Sequence, residues 1–223
     1  WDRLCFELFP TNTYHHNSGG DPEAIPDLSY EQLMAFYRGH YHPSNSILLT
    51  FGNLPVSQHH DAFESRALNR FEKSDEVIEV QLEQSFDAPK KATHRYALDD
   101  SDAAEKTHLI MGWKLGESSD LDAMLEAQLL SSVLMENSAS PLMKWLETND
   151  LGTAPSPLCG LEESMREMVM CCGIEGSEAS RADEFEASVL DVIRKTAEEG
   201  VSKERLEAIL HQIELHQREV TGD

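Results

Sequence analysis

Residues 120–135 are the stretch that most restricts how this chain can fold. Asp120 precedes a run in which large apolar side chains recur at helical spacing. They are Leu121, Met124, Leu125, Leu129, Leu130, Val133 and Leu134. Because they cover most of the helix circumference, the pattern predicts a buried helix. Such a helix has to pack against other secondary-structure elements.

Strand and helix patterns flank this segment. Short apolar runs between turn residues predict strands at 46–53, 93–98, 106–115, 155–160 and 165–173. Helical spacing predicts helices within 1–9 and at 29–42, 55–71, 141–149, 181–199 and 203–220. Strands and helices do not alternate one for one, so we expect an α+β fold in which a mixed or antiparallel sheet packs with helices.

Local signals predict several helix ends. Ser29 and Gln32 have the spacing of a capping box, and Pro43 ends the same helix. Gly200 is expected to cap the helix before it. Residues 73–92 are acidic and lack regular periodicity, so we interpret them as a linker between residues 1–72 and residues 93–223.

Charge and cysteine content exclude several classes of protein. The chain has 18 Lys and Arg against 41 Asp and Glu, a net charge of −23, which argues against binding nucleic acid or an anionic membrane. No apolar run approaches the roughly 20 residues that span a bilayer. Four cysteines without a C-x-x-C pair suggest free thiols in a reducing compartment, so we expect a cytoplasmic location.

The sequence HQIELHQ, from His211 to Gln217, resembles an inverted zinc-peptidase motif but differs from it in spacing. The motif H-x-x-E-H places two histidines four residues apart, where they share one helix face. His211 and His216 are five apart and diverge by roughly 140° around a helix. We therefore interpret this stretch as helix surface.

No other motif identifies an active site. The chain contains no H-E-x-x-H, no Walker sequence and no G-x-S-x-G. Its ten histidines include the adjacent pairs His15–His16 and His59–His60, and neighbouring histidines seldom chelate one ion without further ligands. A histidine-rich metal-binding module is therefore a disfavoured alternative.

Residues 13–53, TYHHNSGGDPEAIPDLSYEQLMAFYRGHYHPSNSILLTFGN, form a far more specific pattern. This segment resembles the pitrilysin/insulinase superfamily of H-x-x-E-H zinc metallopeptidases, in particular its presequence-protease branch. The order of strand, long helix, SPLMKWLETNDLG, strand pair and two closing helices is similar to that family's second, non-catalytic domain. The resemblance extends over nearly the whole chain.

The resemblance implies that residues 1–72 end a first, catalytic-type domain and that residues 93–223 form an inactive domain of the same general fold. In this family the zinc site lies before the segment that matches Trp1, so no catalytic or metal-binding residue is expected in this chain. Zn²⁺ is expected in the intact protein. The implied partners are the upstream catalytic domain, the C-terminal half of the same protein and a peptide substrate.

Two segments are candidates for contact with that peptide. Ser18, Gly19 and Gly20 belong to the SGGDP loop, which either faces the substrate chamber or is a structural turn. Leu158, Cys159 and Gly160 match, by position, a strand that anchors substrate in relatives. An ordinary strand end is the alternative for these three residues.

The resulting hypothesis is a non-catalytic piece of a zinc metalloendopeptidase that degrades short unfolded peptides. This piece is expected to be inactive alone and to form part of the substrate chamber wall. The alternative is a piece of a zinc-less paralogue that serves in assembly or in holding peptides.

Overall fold

A computed structural model describes residues 1–76, 78–99 and 103–219. Its helices are α1 (Asp2–Leu8), α2 (Tyr30–His40), α3 (Val56–Arg66), α4 (Leu121–Met135), α5 (Pro141–Thr148), α6 (Ala182–Glu199) and α7 (Lys203–Glu219). Its strands are β1 (Thr107–Glu117), β2 (Ala154–Pro155), β3 (Gly160–Glu162) and β4 (Glu167–Ser177). The predicted α+β class is confirmed. No helix in the described part of the chain is long and apolar enough to cross a membrane.

The chain divides into two compact units. One is Asn12–Gln81, and the other joins Trp1–Thr11 to Leu82–Asp223. The predicted domain boundaries at residues 72 and 93 refer to the intact protein and stay a prediction.

The unit Asn12–Gln81 contains α2 and α3 and four short 3-10 turns. The capping box is confirmed, because Ser29 Oγ accepts a hydrogen bond from the Gln32 amide and Gln32 Oε1 accepts one from the Ser29 amide. None of the described residues in this unit is buried. The unit therefore exposes its apolar side chains, including Leu33 and Phe36 of α2.

The strand predicted at 46–53 is not formed. Its residues have no strand partner in the described chain, and Ile47, Leu49 and Phe51 are 96, 86 and 101% exposed. The apolar run predicted a buried strand, but a strand forms only beside a neighbour with which it can pair. The helix predicted at 55–71 is shorter in the structure, since α3 ends at Arg66 and a 3-10 turn follows at Leu68–Arg70.

The sheet of the larger unit is built around β4. Its order is β1-β4-β2, β3 also pairs with β4, and every pairing is antiparallel. Residues Glu167 to Ile174 of β4 are all buried. The predicted strand at 155–160 is instead two short strands, β2 and β3, separated by a turn.

Helices cover both faces of this sheet. On one face, Met170, Cys172 and Ile174 of β4 pack against apolar residues of the helices. These helix residues are Leu134, Leu142, Leu146, Phe185 and Val189. On the other face, α1 crosses β1 at Gly112, where an added Cβ would lie 3.1 Å from Leu4 Cδ1 and 3.4 Å from Leu8 Cδ1. The absence of a side chain at residue 112 therefore lets α1 approach the sheet.

The prediction that the helix at 120–135 is buried around its circumference is wrong in part. Val133, Leu134 and Met135 are buried, but Leu121, Leu125 and Leu130 are 77, 44 and 44% exposed. Helix α4 contacts the sheet, α5 and α7, and these contacts leave part of its apolar surface exposed. Asp120 caps the helix by accepting hydrogen bonds from the amides of Asp122 and Ala123.

The strand predicted at 93–98 is also absent. These residues have no regular secondary structure, and side chains hold them instead. His94 Nε2 lies 2.8 Å from Glu7 Oε1, and the Tyr96 hydroxyl donates to the Lys106 carbonyl. Lys90 also pairs with Glu7 at 2.5 Å, and the hydrogen bonds from Lys90 and His94 lower the pKa of this carboxyl.

The two closing helices are confirmed within one or two residues, and Gly200 (φ +73°) separates them as predicted. The described part of the second helix ends at Glu219, so the predicted end at Val220 lies outside the described residues. Arg205 of α7 joins three elements. Its guanidinium donates to the Val133 carbonyl at 3.0 Å, to Ser140 Oγ at 2.8 Å and to the Ala139 carbonyl at 3.4 Å.

A second cluster of hydrogen bonds joins the chain at Thr11 to the sheet. Glu83 accepts from the Thr11 amide at 2.8 Å, from the Thr11 hydroxyl at 2.7 Å and from the Gln84 amide at 3.0 Å. The Glu83 amide donates to Glu167 Oε2 at 2.7 Å. Burial raises the pKa of Glu83, but these hydrogen bonds outweigh burial, so its pKa lies below the usual value.

The Arg205→Met substitution tests the junction of α4, α5 and α7. It removes a charged donor from a buried hydroxyl and two carbonyls, so we expect the free energy of unfolding to fall by about 1.5–3 kcal/mol in urea titration. Arg218→Met is the matched control on the same helix. Among the described residues Arg218 pairs with Glu214 in the exposed part of α7, so its loss should cost about 0.5 kcal/mol or less. Equal losses would contradict this role of Arg205.

The Glu83→Gln substitution tests the cluster at Thr11. A lowered pKa in the folded state stabilises the fold above the unfolded-state pKa of about 4.3, and this contribution is lost as the pH falls below that value. We expect the variant to be less stable than the parent chain by about 1–2 kcal/mol at pH 7. The difference should shrink towards pH 3. Urea titrations at both pH values measure it, with Glu126→Gln on the exposed surface of α4 as control.

Candidate functional site

The edge of the sheet between β2 and β3 contains three of the predicted site residues, Leu158, Cys159 and Gly160. A tight turn separates the two strands, in which the Cys159 amide donates to the Ser156 carbonyl at 3.1 Å. Pro157 occupies the second position of this turn, which its fixed φ favours. Gly160 has φ +136°, a value that favours glycine, and begins β3.

The turn leaves a gap in the hydrogen-bond ladder of β4. On one side of the gap, the Ser156 amide donates to the Gly173 carbonyl at 2.9 Å. On the other side, Gly160 pairs with Cys171. The thiol of Cys159 lies within the gap. Its sulfur accepts from the Gly173 amide at 3.3 Å, and its S–H donates to the Gly173 carbonyl at 3.5 Å.

A cavity of about 320 Å³ opens to solvent beside this turn. Its lining is polar and apolar in about equal parts and includes one carboxylate. The lining residues are Trp1, Pro157, Leu158, Cys159, Gly160, Leu161, Glu162 and Cys171. Glu162 accepts a hydrogen bond from the Ser164 amide at 2.8 Å, and hydrogen bonding to Ser164 lowers the pKa of its carboxyl. The cavity therefore combines apolar side chains with a carboxylate that stays charged at neutral pH.

The outer edge of β3 is the second feature of this site. Among the described strands, β3 pairs with β4 alone. The edge that faces away from β4 can therefore accept an extended segment as a further strand. Gln128 of α4 donates to Glu163 Oε2 at 2.9 Å and so holds the residue that follows β3.

The thiols of the larger unit are poor nucleophiles. All four cysteines are free. Burial raises the pKa of Cys159, and it raises the pKa of Cys5 to about 11 and that of Cys171 to about 12. Since the thiolate is the reactive form, these groups stay protonated at neutral pH and act through packing and hydrogen bonds.

The other predicted segment, Ser18, Gly19 and Gly20, lies in the unit Asn12–Gln81 and forms a turn. Asn17 Oδ1 accepts from the Gly19 amide at 3.0 Å, and the Asn17 carbonyl accepts from the Gly20 amide at 2.9 Å. Gly20 has φ +86°, which explains glycine at this position. These contacts account for the loop as a structural turn, and its contact with substrate stays a prediction.

The described residues contain no group of three or more His, Cys, Asp or Glu placed to hold a metal ion. His211 and His216 are both exposed on α7, and Glu214 between them pairs with Arg218. The interpretation of HQIELHQ as helix surface is confirmed. The described part of the chain therefore offers no set of ligands that fits a zinc ion.

Sequence reasoning missed the bridging role of the Cys159 thiol. The turn itself was detectable, because Pro157 and Gly160 flank Leu158 and Cys159 in the order that turns favour. The partner of the thiol was not detectable, because it depends on which residue of β4 lies opposite.

Comparison with known proteins gives the family. The model of the peptidase M16 inactive domain matches residues 27–213. The mitochondrial presequence protease of Xenopus tropicalis is 34% identical over 214 residues, which are 95% of this chain and 21% of that protein. The mitochondrial presequence protease of Schizosaccharomyces pombe is 32% identical over 93% of this chain and 21% of its own length. Protein HypA of Clostridium perfringens is 28% identical over 95% of this chain and 22% of its own length.

The chain thus spans about a fifth of the length of these relatives. The resemblance of residues 13–53 to the pitrilysin/insulinase superfamily agrees with the family match, which covers most of both predicted domains. The chain belongs to the peptidase M16 family, of which it carries the inactive domain.

Proposed function

We propose that this chain forms part of the substrate chamber wall of a zinc metalloendopeptidase that degrades short unfolded peptides. Two observations support the proposal. The family match is to an inactive domain, and several relatives are named presequence proteases. The described residues hold no metal cluster, so the zinc and the water-activating group would come from another part of the intact protein.

The role proposed for this chain is to bind the peptide in extended form. The observation that carries it is the outer edge of β3, which has no strand partner among the described residues. Pairing a peptide with this edge uses main-chain hydrogen bonds, so it would accept many sequences. The adjoining cavity would hold one side chain of the peptide, and its charged Glu162 favours a basic one.

The rest of the intact protein is the second proposed partner. The relatives are about five times as long as this chain. The exposed apolar segment Ile47–Phe51 is unpaired here and would be covered by strands of the upstream catalytic domain. The larger unit would face both that domain and the C-terminal half of the protein.

A zinc-less paralogue that holds peptides is the second candidate function. It predicts the same peptide contacts as the zinc metalloendopeptidase. Peptide turnover by the intact protein that a chelator abolishes would exclude it. The cytoplasmic location stays a prediction. Several relatives are named mitochondrial presequence proteases.

Peptides methylated at single backbone nitrogens test the pairing at β3. A peptide added as an edge strand donates only every second amide to β3, so methylation should weaken binding at alternate positions. We expect losses of about two- to tenfold in Kd at those positions and little change between them. Fluorescence titration of the intact protein measures Kd.

The Leu158→Asp substitution locates the binding. It places a second carboxylate in the cavity and should weaken binding of an uncharged peptide. Leu190→Asp on α6 is the matched control, since Leu190 is 45% exposed and does not line the cavity. Equal affinities for both variants and the parent protein, with no alternation along the methylated peptides, would overturn the proposed site.

A further inference from the structure

The backbone of β4 presents one hydrogen-bonding position that no strand fills. In an antiparallel strand, the amide and the carbonyl of one residue point to the same neighbour. The Gly173 carbonyl accepts from Ser156, so the Gly173 amide also points towards the side of β2 and β3. The turn at Pro157–Cys159 interrupts pairing at this place.

The Cys159 thiol occupies that position. Its sulfur accepts from the Gly173 amide at 3.3 Å, within the range of a hydrogen bond to sulfur, and its S–H reaches the Gly173 carbonyl at 3.5 Å. The side chain thus acts as both acceptor and donor, as a paired backbone residue would. Cys172, next to Gly173, is completely buried, so water has little access to this part of β4.

The thiol also connects the buried strand to the open edge. Gly160, which begins β3, follows Cys159 directly, and both residues line the cavity. Because the contact with Gly173 anchors the end of the turn, it also sets where β3 begins along β4. A shift of this point by one residue would turn the side chains of β3 to the opposite face of the sheet.

We propose that Cys159 is a positioning residue for peptide binding, whose thiol gives the Gly173 amide the ladder partner that it otherwise lacks and holds β3 in the register that a peptide strand requires. The inference rests on the proposed function, since it concerns the same edge. It assigns to Cys159 an indirect role, in which the thiol touches β4 and β3 touches the peptide.

Three variants of the intact protein test this role by peptide affinity. Cys159→Ala removes the acceptor and the donor, and we expect Kd for an extended peptide to rise by about two- to tenfold. Cys159→Ser keeps both functions in a smaller atom and should recover most of the affinity. Val189→Ala is the control, because it removes buried side-chain atoms from α6, which does not line the cavity, and it should leave Kd unchanged.

The pattern across these variants separates a positioning role from a general loss of stability. Where the intact protein turns over peptides, Cys159→Ala should raise KM and leave kcat unchanged. If Cys159→Ala lowers the affinity for peptide and Cys159→Ser lowers it equally, the hydrogen-bonding role of the thiol is wrong. If the alanine variant does not fold, the serine variant still tests the role of the thiol. The proposal predicts that its Kd for peptide lies near that of the parent protein, and a large rise in Kd would contradict the proposal.

The Leu158→Asp variant distinguishes failure of this inference from failure of the proposed function. If Cys159→Ala binds peptide normally while Leu158→Asp binds it poorly, the edge site stands and the role of Cys159 is wrong. If neither variant changes the affinity for peptide, the edge site itself is wrong.

Discussion

The backbone ladder of β4 is the interaction on which the larger unit depends. All three other strands pair with β4, and residues Glu167 to Ile174 are buried. A buried strand has to satisfy its amides and carbonyls through neighbouring strands, because water cannot reach them. The position of β1, the division of the opposite edge into β2 and β3, and the contact of Cys159 with Gly173 all follow from this requirement.

Local patterns predicted most of the elements of the chain, and the two wrongly predicted strands have a common cause. The central strand, both closing helices and the capping box at Ser29 rest on periodicity and capping, which are properties of short segments. The strands predicted at 46–53 and 93–98 also show apolar or alternating patterns, but a strand forms only where a partner lies beside it. Apolar character likewise predicted burial for Leu121 and Leu125, which the structure leaves exposed because no element covers them.

The contact of Leu158, Cys159 and Gly160 with substrate stays a prediction that rests on resemblance to a family. The structure places these residues in the turn before β3 and at its first position, beside a cavity. The bond between Cys159 and Gly173 joins residues 14 positions apart, and it depends on the register between β3 and β4. Register is a property of two strands together, so no single segment contains it.

Hydrogen–deuterium exchange of the intact protein, with and without an extended peptide, tests the central claim most directly. If the edge of β3 binds peptide by pairing, exchange at Gly160–Glu162 should slow when peptide is added, while exchange in α7 stays unchanged. Exchange at β3 that is unaffected by saturating peptide would contradict the account, because main-chain pairing cannot occur without protecting the amides of that strand.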